Sequence, residues 1–309
     1  MGRRVVVGTR GSELALKQTG IVIRALEQQW PGYRFEVKRI KTTGDRIRDV
    51  ALAKIGDKGL FTKELEIALL EGKIDLAVHS MKDLPTVLPE GLVVGAVLSR
   101  EYPEDALISL SGTTLDSLPP GARVGTSSLR RQAQLRHYRP DLQVSPVRGN
   151  VNTRLSRLKK GDFDAVVLAR AGLARLGLQD HVTQLLPYEV CLPAVGQGAI
   201  GIEIRAGDQE ISHFVSVIND EKSRAEIAAE RAFMRRLEGG CQVPIGALAR
   251  ATGAELTLAG VVADVDGERL FRAEESGPLT EAETVGVRLA EKLLAMGAAE
   301  ILRSIRELS

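Results

Sequence analysis

Two stretches of this chain follow one plan. Glu71-Gly-Lys-Ile-Asp-Leu-Ala-Val-His79 and Lys160-Gly-Asp-Phe-Asp-Ala-Val-Val-Leu168 each read as a helix end, a turn, an aspartate and a buried strand. A plan used twice predicts two lobes of similar build. Between these stretches and around them, short runs rich in Val and Ile alternate with helical patterns, the signature of βαβ units and a mainly parallel sheet. The expected strands are Arg4 to Gly8, Phe35 to Ile40, Asp75 to His79, Leu92 to Leu98, Asp105 to Leu110, Arg123 to Gly125, Asp164 to Ala169 and Ala199 to Ile204. Ser12 is placed to cap a helix running to about Gln29, with Leu14, Ile21, Val22 and Ala25 as its buried stripe and Trp30-Pro31-Gly32 as its stop.

With 309 residues the chain is long enough for two or three domains. Tyr102-Pro103 and Leu192-Pro193 lie in two crossings between lobes, so the first lobe is expected to be discontinuous. The reading is domain 1 over 1–98 and 199–217, domain 2 over 104–193 and domain 3 over 220–309. Beyond about Asn219 the pattern becomes a helix from Ser223 to Leu237, a Gly-Gly-Cys loop, a hairpin turning at Asp266-Gly267 and a final helix from Thr280 onward. The fold class is therefore α/β: two similar lobes of mainly parallel sheet with flanking helices, plus a small α+β C-terminal domain.

No apolar run approaches the roughly 18 residues of a membrane span, and the apolar run Val5 to Val7 is too short for a secretory signal. A soluble, unprocessed, cytoplasmic chain is expected. Cys191 and Cys241 stand fifty positions apart and the four histidines are scattered, so neither a zinc site nor a structural disulfide is expected.

Charge is distributed unevenly. The net formal charge is only +2, yet eight arginines (Arg123, Arg130, Arg131, Arg136, Arg139, Arg148, Arg154 and Arg157) fall between Gly121 and Arg157 against the single acid Asp141. Within this segment Gly125-Thr126-Ser127-Ser128-Leu129-Arg130-Arg131 follows a strand and opens a helix, where backbone N–H groups and the helix dipole favour an anion. Paired guanidinium forks suit carboxylate or phosphate. Equally, the hydroxyls can simply cap the helix while the arginines are solvated.

Other segments carry similar ambiguity. Lys54-Ile-Gly-Asp-Lys58-Gly-Leu-Phe61 has the glycines, lysines and lone aromatic of a closing lid, or of an ordinary surface loop. Thr9-Arg10-Gly11-Ser12 sits at a strand end, where open α/β sheets place ligand groups. Asp83 follows another strand end among bases and could stabilise a cation, or form a turn before Pro85. Cys241, behind two glycines, could be a nucleophile or a small buried hydrophobe. From the residues alone, the chain binds a polyanion in an arginine-lined cleft. Nucleic acid is disfavoured by an aromatic content of 4%, with Tyr138 as the only stacking side chain in the arginine segment. A two-lobed receptor for a small anion is the other alternative.

Seven segments in this order resemble the porphobilinogen deaminase (hydroxymethylbilane synthase) family. They are Thr9 to Ala15, Lys58 to Leu65, His79 to Asp83, Val124 to Arg131, Arg148-Gly149-Asn150, Leu192 to Gly198 and Glu238 to Pro244. The resemblance implies a transferase of porphyrin and heme biosynthesis with lobes of the periplasmic-binding-protein kind. Such an enzyme condenses four porphobilinogen units head to tail into a linear tetrapyrrole, releasing ammonia each time, on a covalent dipyrromethane primer.

By the same resemblance, Cys241 holds the primer through a thioether and Asp83 stabilises the azafulvenium-type cation left when ammonia departs. Ser80, Lys82, Thr126, Ser128, Arg130 and Arg131 would grip the primer. Arg10, Ser12, Arg148, Arg154, Arg175 and Gln197 would hold substrate carboxylates, and Lys54, Lys58 and Phe61 would belong to the closing loop. Every pyrrole carries an acetate and a propionate, which explains a need for distributed cations. A monomer acting on porphobilinogen, without nucleic acid, membrane or metal, is expected. Glu13, where the family often has proline, and Cys191, at a position commonly filled by another small residue, depart from the pattern without touching this chemistry.

Overall fold

The computed structural model describes residues 4–46, 59–238 and 243–307. Lys54, Lys58 and Cys241 lie outside the described residues. The chain divides into two compact units: the first takes the described residues up to Glu101 together with Gly198–Arg224, the second takes Tyr102–Gln197 and the described residues from Ala225 onward.

In the first unit, β1 (Arg4–Arg10), α1 (Glu13–Gln29), β2 (Arg34–Ile40), α2 (Thr43–Arg46), α3 (Lys63–Leu70), β3 (Leu76–Ser80) and β4 (Leu92–Val97) follow in order. In the second come β5 (Asp105–Ser109), β6 (Arg123–Gly125), α4 (Leu129–Tyr138), β7 (Gln143–Ser145), α5 (Val151–Lys159), β8 (Ala165–Ala169), α6 (Arg170–Arg175) and β9 (Gln184–Leu185). The chain then returns to the first unit with β10 (Ile200–Arg205) and α7 (Gln209–Ser216).

The two five-stranded sheets have one topology. Their orders are β2-β1-β3-β10-β4 and β7-β6-β8-β5-β9. In the first, β10 is antiparallel to both neighbours while β1 pairs in parallel with β2 and β3. In the second, β5 plays the part of β10, antiparallel to β8 and β9. Four strands of each sheet thus run one way and one runs against them. The repeated stretches seen in the sequence supply β3 and β8, the equivalent central strands.

The eight expected strands all form, with bounds displaced by no more than two residues. The continuous apolar runs of β5 and β8 arise because both faces are covered. In the second unit Leu107, Val124, Ala165 and Val167 pack into one core, while Ala106, Ile108, Val166 and Leu168 pack into another. The short strands β7 and β9 were not expected, having too few residues to show a period.

Ser12 caps α1 as predicted, its hydroxyl accepting from the Ala15 N–H at 3.3 Å. The buried stripe of α1 is different from the expected one. It is Ala15, Gln18, Thr19, Val22 and Leu26; Leu14, Ile21 and Ala25 are only half-buried. Polar Gln18 and Thr19 turn inward because each has a partner, Ser80 and the Ala15 carbonyl respectively.

Next come α8 (Glu221–Arg236) and the antiparallel strands β11 (Ile245–Thr252), β12 (Glu255–Ala263) and β13 (Leu270–Pro278), followed by α9 (Ala282–Leu293) and α10 (Ala299–Glu307). Phe233, Leu256, Leu258, Leu289, Leu293 and Ile301 form their core. Burying side chains of this size stabilises by roughly 2 kcal/mol each. The single helix expected from Thr280 onward is broken, because Gly297 adopts a left-handed φ of 120° between α9 and α10.

The β12–β13 hairpin turns where Asp266-Gly267 predicted, and its tip rests on α4. Gly267 has φ 76°, and a Cβ there would lie 2.4 Å from the Ala133 carbonyl oxygen. His137 Nδ1 is 2.8 Å from the Gly267 carbonyl oxygen, and Arg136 Nη1 donates to the Val265 carbonyl at 2.9 Å. The hairpin therefore clamps the helix that carries Arg130 and Arg131. Among the described residues, no helix is long and apolar enough to cross a membrane.

Candidate active site

In the first unit, parallel pairing of β1 with β3 places their C-terminal ends side by side. Arg10 ends β1 and Ser80 ends β3, where Gln18 Nε2 donates to the Ser80 hydroxyl at 2.8 Å. A single 3₁₀ turn, Met81–Asp83, follows. Met81 is buried against Gly201, where a Cβ would lie 2.1 Å from its sulfur, so the turn is anchored while Lys82 and Asp83 stay half-exposed. Arg10, Ser12, Gln18, Phe61, Ser80 and Asp83 line a common cavity.

Arg10 is held from several sides. Its Nη2 donates to Asp45 Oδ1 at 2.6 Å, its Nη1 stands 3.9 Å from Asp83 Oδ2, and its guanidinium lies 4.2 Å from the centre of the Phe61 ring. Its Nε is buried without a partner. Burial works against a charge on Asp45, but the hydrogen bond and charge of Arg10, with bonds from Thr42, outweigh it and hold the carboxyl below its ordinary value. Among the described residues nothing donates a hydrogen bond to the Asp83 carboxylate. Behind this site the buried pair His79 Nε2 to Glu203 Oε2, at 2.9 Å, ties β3 to β10.

In the second unit, β6 leads into α4 through Thr126, Ser127 and Ser128. The Ser128 hydroxyl caps α4 by accepting from the Arg131 N–H at 3.4 Å, and the Thr126 hydroxyl accepts from the Ser128 N–H at 3.3 Å. Arg130 and Arg131 turn inward, each 5% exposed, onto the fully buried Asp105. Arg130 Nη1 donates to Asp105 Oδ2 at 2.7 Å, and Arg131 donates to Oδ1 through Nε at 3.0 Å and Nη2 at 2.6 Å. Gln197 Nε2 adds a bond to Oδ1 at 2.8 Å. Burial opposes the charge of Asp105, yet the two guanidinium groups prevail and hold its carboxyl far below the ordinary range. Cys191, whose thiol donates to Asp105 Oδ2 at 3.4 Å, is pushed up to about 12 by burial and then by that carboxylate.

Arg148 and Arg154 differ from their neighbours. Among the described residues neither pairs with a carboxylate, and Arg148 Nη2 is buried without a partner. Arg154 donates from Nε to the Gly149 carbonyl at 2.9 Å; burial, then the charges of Arg131 and Arg148, lower it to about 10. Arg175 ends α6, half-buried.

The arginine segment is therefore less free than its charge count implies. Arg123 pairs with Asp164, Arg139 with Asp141, Arg157 with Asp162, and Arg136 holds the hairpin carbonyl. The solvated-arginine alternative also fails, because these side chains bind the chain itself. What the segment leaves over for an anion is Arg148, Arg154 and those N–H groups of Arg130 and Arg131 that bond to nothing in the chain. Cations that repel one another, some with buried N–H groups left bare, fit a ligand bearing several carboxylates. A dipyrromethane is such a ligand, so the residues present fit the group.

Sequence reasoning missed Asp105 and Asp45. Asp105 stands first in the expected strand Asp105 to Leu110, and an acid at the mouth of an otherwise apolar run is the available signal. Asp45 gave none.

The profile for "Porphobilinogen deaminase, dipyromethane cofactor binding domain" matches residues 5–213. The chain belongs to the porphobilinogen deaminase family. The family's C-terminal domain matches residues 224–295. A porphobilinogen deaminase of Desulforudis audaxviator (strain MP104C) is 61% identical over 306 residues, 99% of each chain. That of Pelotomaculum thermopropionicum is 57% identical, covering 99% of this chain and 98% of its own. That of Moorella thermoacetica is 56% identical, with 98% and 96% covered. The porphobilinogen deaminase likeness thus runs through both units and through every segment singled out above.

Proposed function

We propose that this chain joins four porphobilinogen molecules head to tail into hydroxymethylbilane, releasing ammonia at each addition, with a dipyrromethane held through the sulfur of Cys241. The observation that carries this reading lies within the first unit: Asp83, to which nothing among the described residues donates a hydrogen bond, lines one cavity with Arg10, whose Nη1 stands 3.9 Å from its carboxylate.

When bound, the dipyrromethane supplies the pyrrole carbon to which the first substrate unit is joined. Asp83 stabilises the positive charge that develops on porphobilinogen as ammonia leaves, because a fixed carboxylate needs no reorganisation when that charge appears. It then accepts the proton displaced from the ring carbon at coupling. Arg10 steadies Asp83 at 3.9 Å without taking its lone pairs. Arg10, Ser12, Arg148, Arg154 and Arg175 bind the acetate and propionate of incoming units, whereas Gln197, expected among them, is buried with its amide N–H groups given to the Pro103 carbonyl and to Asp105 and acts only through that carboxylate. Ser80, Lys82, Thr126, Ser128, Arg130 and Arg131 grip the primer, with Lys54, Lys58 and Phe61 in a covering loop. The reading includes three domains, 1–98 with 199–217, 104–193 and 220–309, in a monomer of the cytoplasm.

Intact-mass measurement tests it. The purified chain should be heavier than its sequence by one dipyrromethane, and Cys241→Ser should remove the increment. A fully active chain of unmodified mass would sink the reading.

A further inference from the structure

Asp105 serves two cations at once. One fully buried carboxylate between two almost fully buried guanidinium groups leaves a surplus positive charge that little water reaches, which is costly unless an anion completes it. The bonds made to Asp105 also fix which guanidinium edges are left. Each guanidinium has five N–H groups. Arg130 spends Nη1 on Asp105 and on the Leu192 carbonyl at 2.6 Å, and its Nε is buried and bare. Arg131 spends Nε and Nη2 on Asp105 and Nη1 on the Val167 carbonyl at 3.0 Å. Gln197 and Cys191 donate to the same carboxylate, so it is located by four side chains from three parts of the unit.

We infer that Asp105 is a positioning residue: it sets the two arginine forks so that their remaining Nη hydrogens present one fixed docking point for a single carboxylate of the bound pyrrole chain. This rests on the reading that Arg130 and Arg131 grip the primer. Asp105 touches no ligand itself. Its contribution is orientation, together with a charge count that leaves room for one further anion.

The test is loading of the apoprotein. Wild type, Asp105→Asn, Asp105→Ala and Asp105→Glu are given porphobilinogen; intact mass reads the fraction carrying dipyrromethane, and thermal melting of the unloaded protein reads folding separately. Asp105→Asn and Asp105→Ala should load about tenfold less than wild type or worse, as expected when one member of a buried charge cluster is removed. Formate, which can occupy the space of the missing carboxylate, should restore loading of Asp105→Ala, whereas chloride at equal ionic strength should not. Wild-type loading by either folded variant overturns the inference. Should neither fold, Asp105→Glu decides: it keeps the charge but displaces it by one methylene, so reduced loading with a folded apoprotein supports positioning and wild-type loading overturns it. Arg130→Lys and Arg131→Lys keep charge but lose the fork. Wild-type loading in both would refute the primer-gripping role, while lost loading there beside intact loading in the Asp105 variants would refute the role of Asp105 alone.

Discussion

Arg10 Nη1 and Asp83 Oδ2 stand 3.9 Å apart at the ends of two adjacent parallel strands. The gap is too long for a hydrogen bond and short enough for electrostatic attraction. Since Asp83→Asn breaks no hydrogen bond, the variant should keep its melting temperature. Its turnover should fall by about 3 kcal/mol in activation free energy, roughly a hundredfold, as a charge-stabilising group is lost. Steady-state kinetics beside thermal melting check this; near-normal turnover removes Asp83 from the reaction.

Acid should reveal the Arg10–Asp45 pair. Because the folded state holds the Asp45 carboxyl below its ordinary value, its contribution to stability is fully present above about pH 4 and is lost as pH falls through the folded value. The gap in melting temperature between wild type and Asp45→Asn should therefore narrow from pH 5 to pH 3. A constant gap would show that the pair contributes nothing through charge.

The unpaired arginines predict a different response. Arg148→Leu and Arg154→Leu should each raise the KM for porphobilinogen about tenfold, near 1.4 kcal/mol of lost binding, and should accumulate partly extended chains visible by mass. In the unloaded protein Arg154→Leu should not lower the melting temperature, because it relieves repulsion from Arg131 and Arg148. A large loss of stability would mean that Arg154 is bound to the fold in a way its contacts do not account for.

Cys191 should be chemically silent. With its thiol pushed up to about 12, only about one molecule in ten thousand is thiolate at pH 8, and burial further denies access. Iodoacetamide treatment of the native protein followed by peptide mapping should leave Cys191 unlabelled until denaturant is added. Rapid native labelling there would contradict the buried placement.

What the sequence disclosed was local. The Ser12 cap, the stop at Trp30, the strands and the Asp266-Gly267 turn depend on neighbours a few positions away, and each is where its residues put it. What it concealed was pairing at a distance. Whether an arginine is free depends on an acid elsewhere: Asp105 neutralises part of the Arg130-Arg131 charge from 25 and 26 positions upstream, and Asp45 meets Arg10 across 35 positions. No count along the chain distinguishes Arg154 from Arg157, yet the latter has Asp162 and the former has no carboxylate among the described residues. The kink at Gly297 was likewise hidden, because an isolated glycine in a helical pattern is usually tolerated.

The position of β10 has a consequence for biosynthesis. It sits between β3 and β4, and it is encoded after the whole of the Tyr102–Gln197 segment. While the ribosome is still translating that segment, the place between β3 and β4 has no strand to fill it, so β4 has no partner in the sheet of its three predecessors. The first sheet can close only after residue 205 has left the exit tunnel, by which point every strand of the second sheet has already emerged.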